Sequence, residues 1–276
     1  MGDGLNHPLI AALVENRLNP KPLPAPDFTL VPTNLAEAYD LQDVLHREIE
    51  EAGGGSICGY KIGCTSKVMQ EYLGINSPCA GGVFDKTVFN GKGLFPFKDF
   101  AKPGVECEIA VRLGKDINAL DAPHSRESVA DAVEACMASI EVVDDRYTDF
   151  SKFTAETLVI DDFFDAGCVL GQPVDDWRSL DLAALTGRLF INGEEVSSGV
   201  GADILGHPLD ALVWLANARA SRNMGLKKGA FVTLGSVVKT HWVEADDTVE
   251  IDFGALGRAR AEFPDLPGVV APANDF

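Results

Sequence analysis

The stretch PGVECEIAV, residues 103–111, sets Glu106 and Glu108 one residue apart inside an otherwise apolar run. In an extended segment side chains alternate faces, so Val105, Cys107, Ile109 and Val111 share one face and Glu106, Glu108 and Ala110 the other. Two residues of strand rise separate the two glutamate Cβ atoms by about 7 Å, which lets both carboxylates lean onto one small cation. A half-buried strand with a wetted polar face gives the same alternation. A third acid, Glu141, lies in MASIEVVDDRY between Ile140 and Val142, where an ionised group is costly unless it is paired or bound to metal. Three such acids form an oxygen site suited to Mg²⁺ or Mn²⁺, with water and substrate completing an octahedron. No tetrahedral zinc pattern competes, because His7, His46, His124, His207 and His241 make no HExxH.

The elements that must position these acids are legible as runs. HPLIAALVENRL carries a helical apolar stripe, and TNLAEAYDLQDVLHREIEEAG follows a Thr33/Asn34 cap with apolar residues at three- and four-residue steps. Four prolines within residues 20–26 separate the two helices, and GGGS at 53–56 ends the second. Strand signals then dominate: ICGYKIGCTS, GGVFDKTVF, VECEIAVRL, GRLFINGEEV, GAFVTLGSVV and DTVEIDFGALGRARAEF, with Asn192-Gly193 as a hairpin turn. RESVADAVEACMA predicts a helix over 126–138, and HPLDALVWLANARAS another. Blocks of strands with a few inserted helices give α+β rather than a doubly wound sheet, and no GxGxxG or GxxxxGK[ST] supports a nucleotide fold. The expected organisation is a helical subdomain over 1–55, a β-rich catalytic domain over 56–266 and a tail over 267–276.

A chain of 276 residues with 46% hydrophobic content can build a large core. Its formal charge of −19 argues against a nucleic-acid surface. The six cysteines show no CxxC pair and sit mostly among apolar residues, as free thiols of a reducing cytoplasm do. The N-terminal stretch lacks a basic start with a long apolar run, and no stretch approaches 18 apolar residues, so neither export nor membrane insertion is expected.

Taken in order, GYKIGCTS, GVECEIAV, ASIEVVDDR, GHPLDALVWLAN, TLGSVV and DFGALGRARAEF resemble the fumarylacetoacetate hydrolase superfamily, in its branch of 2-keto-4-pentenoate hydratases and 4-oxalocrotonate decarboxylases. The resemblance covers most of residues 56–263 and implies a fumarylacetoacetase C-terminal-domain-like mixed β-sheet roll or barrel. It implies that Glu106, Glu108 and Glu141 hold Mg²⁺ or Mn²⁺ and that Lys61 is the active-site lysine, where residue type alone suggests a surface lysine. The sign of any pKa shift at Lys61 is open, since desolvation lowers it and nearby carboxylates raise it. Asp161 matches a loop acid near the site, or else caps the loop. Arg146 steadies a ligand or substrate carboxylate, or pairs structurally with Asp144 or Asp145. Ser236 matches a position near the substrate carboxylate, or is a turn hydroxyl.

The implied reaction is addition of water to a 2-hydroxy-2,4-dienoate, or its 2-oxo tautomer, to give a 4-hydroxy-2-oxo acid, as in aromatic meta-cleavage catabolism. Decarboxylation of a 2-oxo-hexenedioate is the runner-up. Acylpyruvate C–C hydrolysis ranks lower because His46, with Glu48 or Glu50, reads as the solvated face of a helix, and a non-catalytic metal-binding scaffold ranks last. The partner is then a small 2-oxo or 2-hydroxy carboxylate, and a homo-oligomer is expected. The sequence departs from the branch at PCAGGVF, where Cys79 stands for a carboxylate, at IDDFFDAG, which adds Phe163 and Phe164, and at VVKTHWV after Ser236. If the two phenylalanines line the pocket they favour a bulkier apolar tail on the substrate; in the core they say nothing.

Overall fold

In a computed structural model the described residues are 7–24, 26–149 and 153–266; the expected tail over 267–276 lies outside them. Two helices, α1 (Pro8–Leu18) and α2 (Leu35–Glu51), precede β1 (Ile57–Gly63), α3 (Lys67–Leu73), β2 (Cys79–Phe84), β3 (Val88–Asn90), β4 (Lys92–Leu94) and β5 (Pro103–Leu113). There follow α4 (Arg126–Ala132), β6 (Val133–Asp144), α5 (Ala155–Ile160), β7 (Asp165–Leu170), β8 (Thr186–Ile191), β9 (Glu194–Val200) and α6 (Pro208–Ala220). The last strands are β10 (Phe231–Ser236), β11 (His241–Trp242), β12 (Thr248–Asp252) and β13 (Arg258–Glu262). This is the expected α+β class.

One mixed sheet runs β2-β1-β10-β5-β6-β7-β3, with β11 added along β5; a second runs β4-β13-β12-β8-β9. Three pairs, β1 with β10, β3 with β7 and β4 with β13, are parallel. Asn192 and Gly193 both take positive φ, 53° and 84°, in the turn joining β8 to β9, the twist a two-residue hairpin needs. The Asn34 side chain accepts the Glu37 N–H at 3.0 Å and caps α2.

The helix expected over 126–138 stops at Ala132, and Val133–Asp144 is a strand. The reason is burial on both faces: β6 lies between β5 and β7, so its near-continuous apolar run shows no period of two. Val105, Cys107, Ile109 and Val111 of β5 face the second sheet, joining a core with Leu189, Val249, Ile251, Ala259 and Ala261. Each valine, leucine or isoleucine among them contributes about 1.5–3 kcal/mol on burial. A second apolar cluster packs Leu9, Ile10 and Leu13 of α1 and Leu45 and Ile49 of α2 against α5, Cys79 and Phe84. The first helices therefore rest on the β2 edge of the large sheet, beside the loop that leads into β7.

Candidate metal and substrate site

The register of the large sheet collects the three glutamates. Glu106 on β5 stands opposite Glu141 on β6, and Glu108 stands opposite Ser139 on one side and Ser236 on the other. Directly paired residues point to the same face, so the acids that were one residue apart in sequence meet the third across a strand boundary. One carboxylate oxygen from each lies within 4.8 Å of the others. Glu108 and Glu141 are buried at 1% and 2% exposure, while Glu106 retains partial access to solvent.

Neutral donors aim two of these carboxylates. The Gly235 N–H donates to Glu108 Oε2 at 3.0 Å, and the Thr240 hydroxyl donates to Glu106. Gly235 sits where the β10–β5 register shifts and has φ +111°, and a Cβ there would lie 2.6 Å from Thr65 Cγ2, so only glycine lets this amide face Glu108. The third carboxylate has a cation: Lys61 on β1, 4% exposed, pairs with Glu141 and donates to the Phe163 carbonyl at 3.0 Å. Thr233, next to Lys61 in the parallel ladder, donates to Glu141 Oε2 at 3.5 Å.

Charge crowding marks this point of the sheet. Burial, and then the charge of Glu141, push the Glu106 carboxyl up to about 7; the same causes, with Glu106 added, push Glu108 well above the usual carboxylate range. Burial alone would lower Lys61, but the charges of Glu141, Asp165 and Glu106 outweigh it and hold the group as an ammonium. Three hard oxygen donors in excess of one lysine fit a hard divalent cation, and the donor set contains no sulfur or imidazole.

Residues 86–263 match the family described as fumarylacetoacetate (FAA) hydrolase, C-terminal. The chain belongs to that family. It is 32% identical over 243 residues to a 2-keto-4-pentenoate hydratase of Paraburkholderia xenovorans (strain LB400), covering 88% of this chain and 89% of that protein. It is 30% identical over 268 residues to a 4-oxalocrotonate decarboxylase of Pseudomonas putida, covering 95% of this chain and 100% of that one. Among solved structures, 4-oxalocrotonate decarboxylase from Pseudomonas putida G7, complexed with magnesium and adipate, superposes with a TM-score of 0.86 at 27% identity, covering 92% and 95% of the two chains.

Other residues singled out in this fumarylacetoacetate hydrolase-family sequence lie elsewhere or are otherwise engaged. Arg146 pairs with neither Asp144 nor Asp145; its Nη2 donates to Asp161 Oδ2 at 2.6 Å. The Tyr147 hydroxyl donates to the same oxygen at 2.7 Å. Asp161 is fully buried at the C-terminal end of α5, and none of its side-chain partners among the described residues belongs to the glutamate trio. Ser236 stands beside Glu108 in register, but its hydroxyl accepts from Cys107 N at 3.2 Å and Val238 N at 3.3 Å and donates to Cys107 O at 3.3 Å, which is strand bracing. Cys79 is a buried free thiol. Phe163 and Phe164 pack in the helical cluster, Phe164 edge-on to Tyr147, so they give no reason to expect a bulkier substrate.

His46 is a correction. It is not on a solvated face: its Nε2 lies 2.8 Å from Asp162 Oδ1 and its ring meets Phe84 edge-on. The helix period told only that His46 shares the polar face of α2, not that β2 and the 161–165 loop cover that face. Sequence reasoning likewise missed Thr233, Gly235 and Thr240 around the trio, and Arg17, Asp162 and Asp165 behind it. For Gly235 a signal existed, glycine before Ser236 inside an apolar strand, which suggests a bulge.

Proposed function

We propose that this protein is a divalent-metal-dependent hydratase that adds water to a 2-hydroxy-2,4-dienoate, through its 2-oxo-alkenoate tautomer, to give a 4-hydroxy-2-oxo acid. The observation that carries the reading is the convergence of Glu106, Glu108, Glu141 and Lys61 on one face of the large sheet, in a chain 32% identical to a 2-keto-4-pentenoate hydratase. The three glutamates would hold Mg²⁺ or Mn²⁺, which when bound supplies positive charge to a 2-oxo or enolate oxygen. Gly235 N–H and the Thr240 hydroxyl fix one oxygen each of Glu108 and Glu106, leaving the other oxygens for the cation. Lys61, kept as an ammonium, is suited to donate a proton or orient the substrate rather than to act as a base. Arg146 and Asp161 support this site structurally, and Ser236 braces the strand that carries Glu108.

Decarboxylation of a 2-oxo-hexenedioate is the second reading. It is favoured by the full-length match to the Pseudomonas putida 4-oxalocrotonate decarboxylase and by the close superposition on the magnesium–adipate structure. The same electron-withdrawing centre serves both reactions, so the substrate decides. The test offers 2-hydroxypenta-2,4-dienoate and 2-oxohex-4-enedioate to metal-stripped and Mg²⁺- or Mn²⁺-restored protein, with products analysed for hydroxy-oxo acid and CO₂. Hydration of the first, restored by metal, is expected. CO₂ from the second without hydration of the first would reverse the order, and inert protein that still takes up metal would favour a scaffold.

We also propose a cytoplasmic homo-oligomer. All six cysteines are free thiols, and no helix among the described residues is long and apolar enough to cross a membrane. Light scattering that gives the mass of a single chain at assay concentration would contradict the assembly.

A further inference from the structure

The segment Asp161–Asp165 holds the least ordinary backbone near the site. Asp162, Phe163 and Phe164 take φ of 52°, 48° and 66° in succession, left-handed values that non-glycine residues keep only where the surroundings over-determine them. The surroundings are specific. Asp162 is fully buried; its Oδ1 accepts from Gly82 N at 2.8 Å and lies 2.8 Å from His46 Nε2, while its Oδ2 lies 3.4 Å from Arg17 Nη1. Arg17 also donates to the Asp161 carbonyl at 3.3 Å and reaches Asp165 Oδ2 at 3.4 Å. Thus α1, α2 and β2 each contribute a donor to this one turn.

Strand β2 is shaped for it. A Cβ on Gly81 would lie 2.8 Å from Asp162 Cβ, and one on Gly82 would lie 2.7 Å from His46 Cε1. The glycine pair of PCAGGVF therefore admits the aspartate and the histidine, and two segments that set this sequence apart from its branch, PCAGGVF and IDDFFDAG, meet here. The consequence reaches the site through one atom. A right-handed continuation of α5 would point the Phe163 carbonyl along the helix axis; the left-handed turn aims it at Lys61 Nζ, 3.0 Å away. An ammonium has three N–H donors. Among the described residues Glu141 and the Phe163 carbonyl engage two, which leaves one to point at a reacting molecule.

We propose that Asp162, held by Gly82 N–H, His46 and Arg17, is a positioning residue that sets the Phe163 carbonyl and through it the direction of the free Lys61 N–H. The proposal rests on the reading above that Lys61 takes part in the reaction. A displacement of about 1 Å at a reacting group can cost on the order of a hundredfold in rate. Glutamate ligation does not depend on this turn, so metal binding should be indifferent to it.

A double-mutant cycle with Asp162→Ala, Lys61→Ala and both together tests this, each variant measured for kcat, KM, Mn²⁺ affinity by electron paramagnetic resonance, and thermal unfolding. We expect Asp162→Ala to lower kcat by roughly tenfold to a hundredfold, with KM and Mn²⁺ affinity little changed, and to add nothing to the loss in Lys61→Ala. Asp162→Asn, which keeps an acceptor for Gly82 N–H, should recover most of kcat. If Asp162→Ala does not fold, His46→Leu removes one partner only and should show a smaller kcat loss with the same non-additivity. Additive losses, a fall in Mn²⁺ affinity that tracks kcat, or wild-type kcat in folded Asp162→Ala or His46→Leu would overturn the proposal. Full turnover by Lys61→Ala would instead overturn the role given to Lys61, so the two failures are distinguishable.

Discussion

The crowding of glutamates at the β5–β6 boundary has a thermodynamic signature that needs no substrate. In metal-free protein the Glu106 carboxyl is raised from an ordinary 4.5 to about 7. An acid raised in the fold contributes fully below its unfolded value and loses that contribution as pH climbs through its folded value, because the unfolded chain then releases a proton that the fold retains. The gap of 4.5 to about 7 corresponds to about 3 kcal/mol at ~1.4 kcal/mol per unit, of which the larger part is lost between about pH 5 and pH 8. Glu108 shifts in the same direction and adds to the loss. Glu106→Gln cannot ionise, so the metal-free variant should gain on metal-free wild type by about 2–3 kcal/mol over that pH range, roughly 3–5 °C in melting temperature for a chain of this size. The assay is thermal and urea unfolding of both proteins in chelator at pH 5 and pH 8, repeated with Mn²⁺. Added metal should stabilise wild type at pH 8 by about 2.7 kcal/mol at a hundredfold excess over Kd and leave the variant near its metal-free value. A stability difference that stays flat with pH, or a variant that takes up Mn²⁺ like wild type, would refute the reasoning.

Further substitutions separate chemistry from scaffold. Lys61→Ala should reduce turnover by about 10²–10⁴-fold, the usual range for a lost proton-transfer group, while calorimetry shows Mn²⁺ still bound. Arg146→Met leaves the buried Asp161 carboxylate without its 2.6 Å partner and should cost about 3–5 kcal/mol in urea unfolding. Gly235→Ala must strain a φ of +111° and push a Cβ into Thr65; it should weaken Mn²⁺ binding by drawing the amide away from Glu108, read by metal titration.

The chemistry was more legible in the sequence than the scaffold that holds it. The Glu106/Glu108 alternation survives intact because period two is a local property of an extended chain. Glu141 stood out because an ionisable group in an apolar run demands an explanation. The strand that carries it was harder to see: buried on both faces, β6 lacks the alternation that separates strand from helix, and its start at Val133 was absorbed into the helical pattern of RESVADA. Arg17 and His46 were illegible for another reason. Their partner Asp162 is 145 and 116 positions away in the chain, and nothing local in α1 or α2 tells which polar face another element will cover.

The cations around the site are divided between two tasks, and the division explains why a dication fits where it does. Arg146 and Arg17 are committed to Asp161, Asp162 and Asp165, the acids of the turn between α5 and β7, and His46 adds a hydrogen-bond contact to Asp162. Lys61 is committed to Glu141. Glu106 and Glu108 are left with neutral partners among the described residues, a threonine hydroxyl and a backbone amide, and neutral donors orient a carboxylate without cancelling its charge. Two uncompensated anions on one strand, with a third across the ladder, cannot all ionise in a buried setting without a counter-charge of their own. The two networks touch at the Phe163 carbonyl, where the turn fixed by one set of cations sets the direction of the lysine belonging to the other. A substitution at Asp162 should therefore be read first as a change in how Lys61 is held, and only second as a loss of stability.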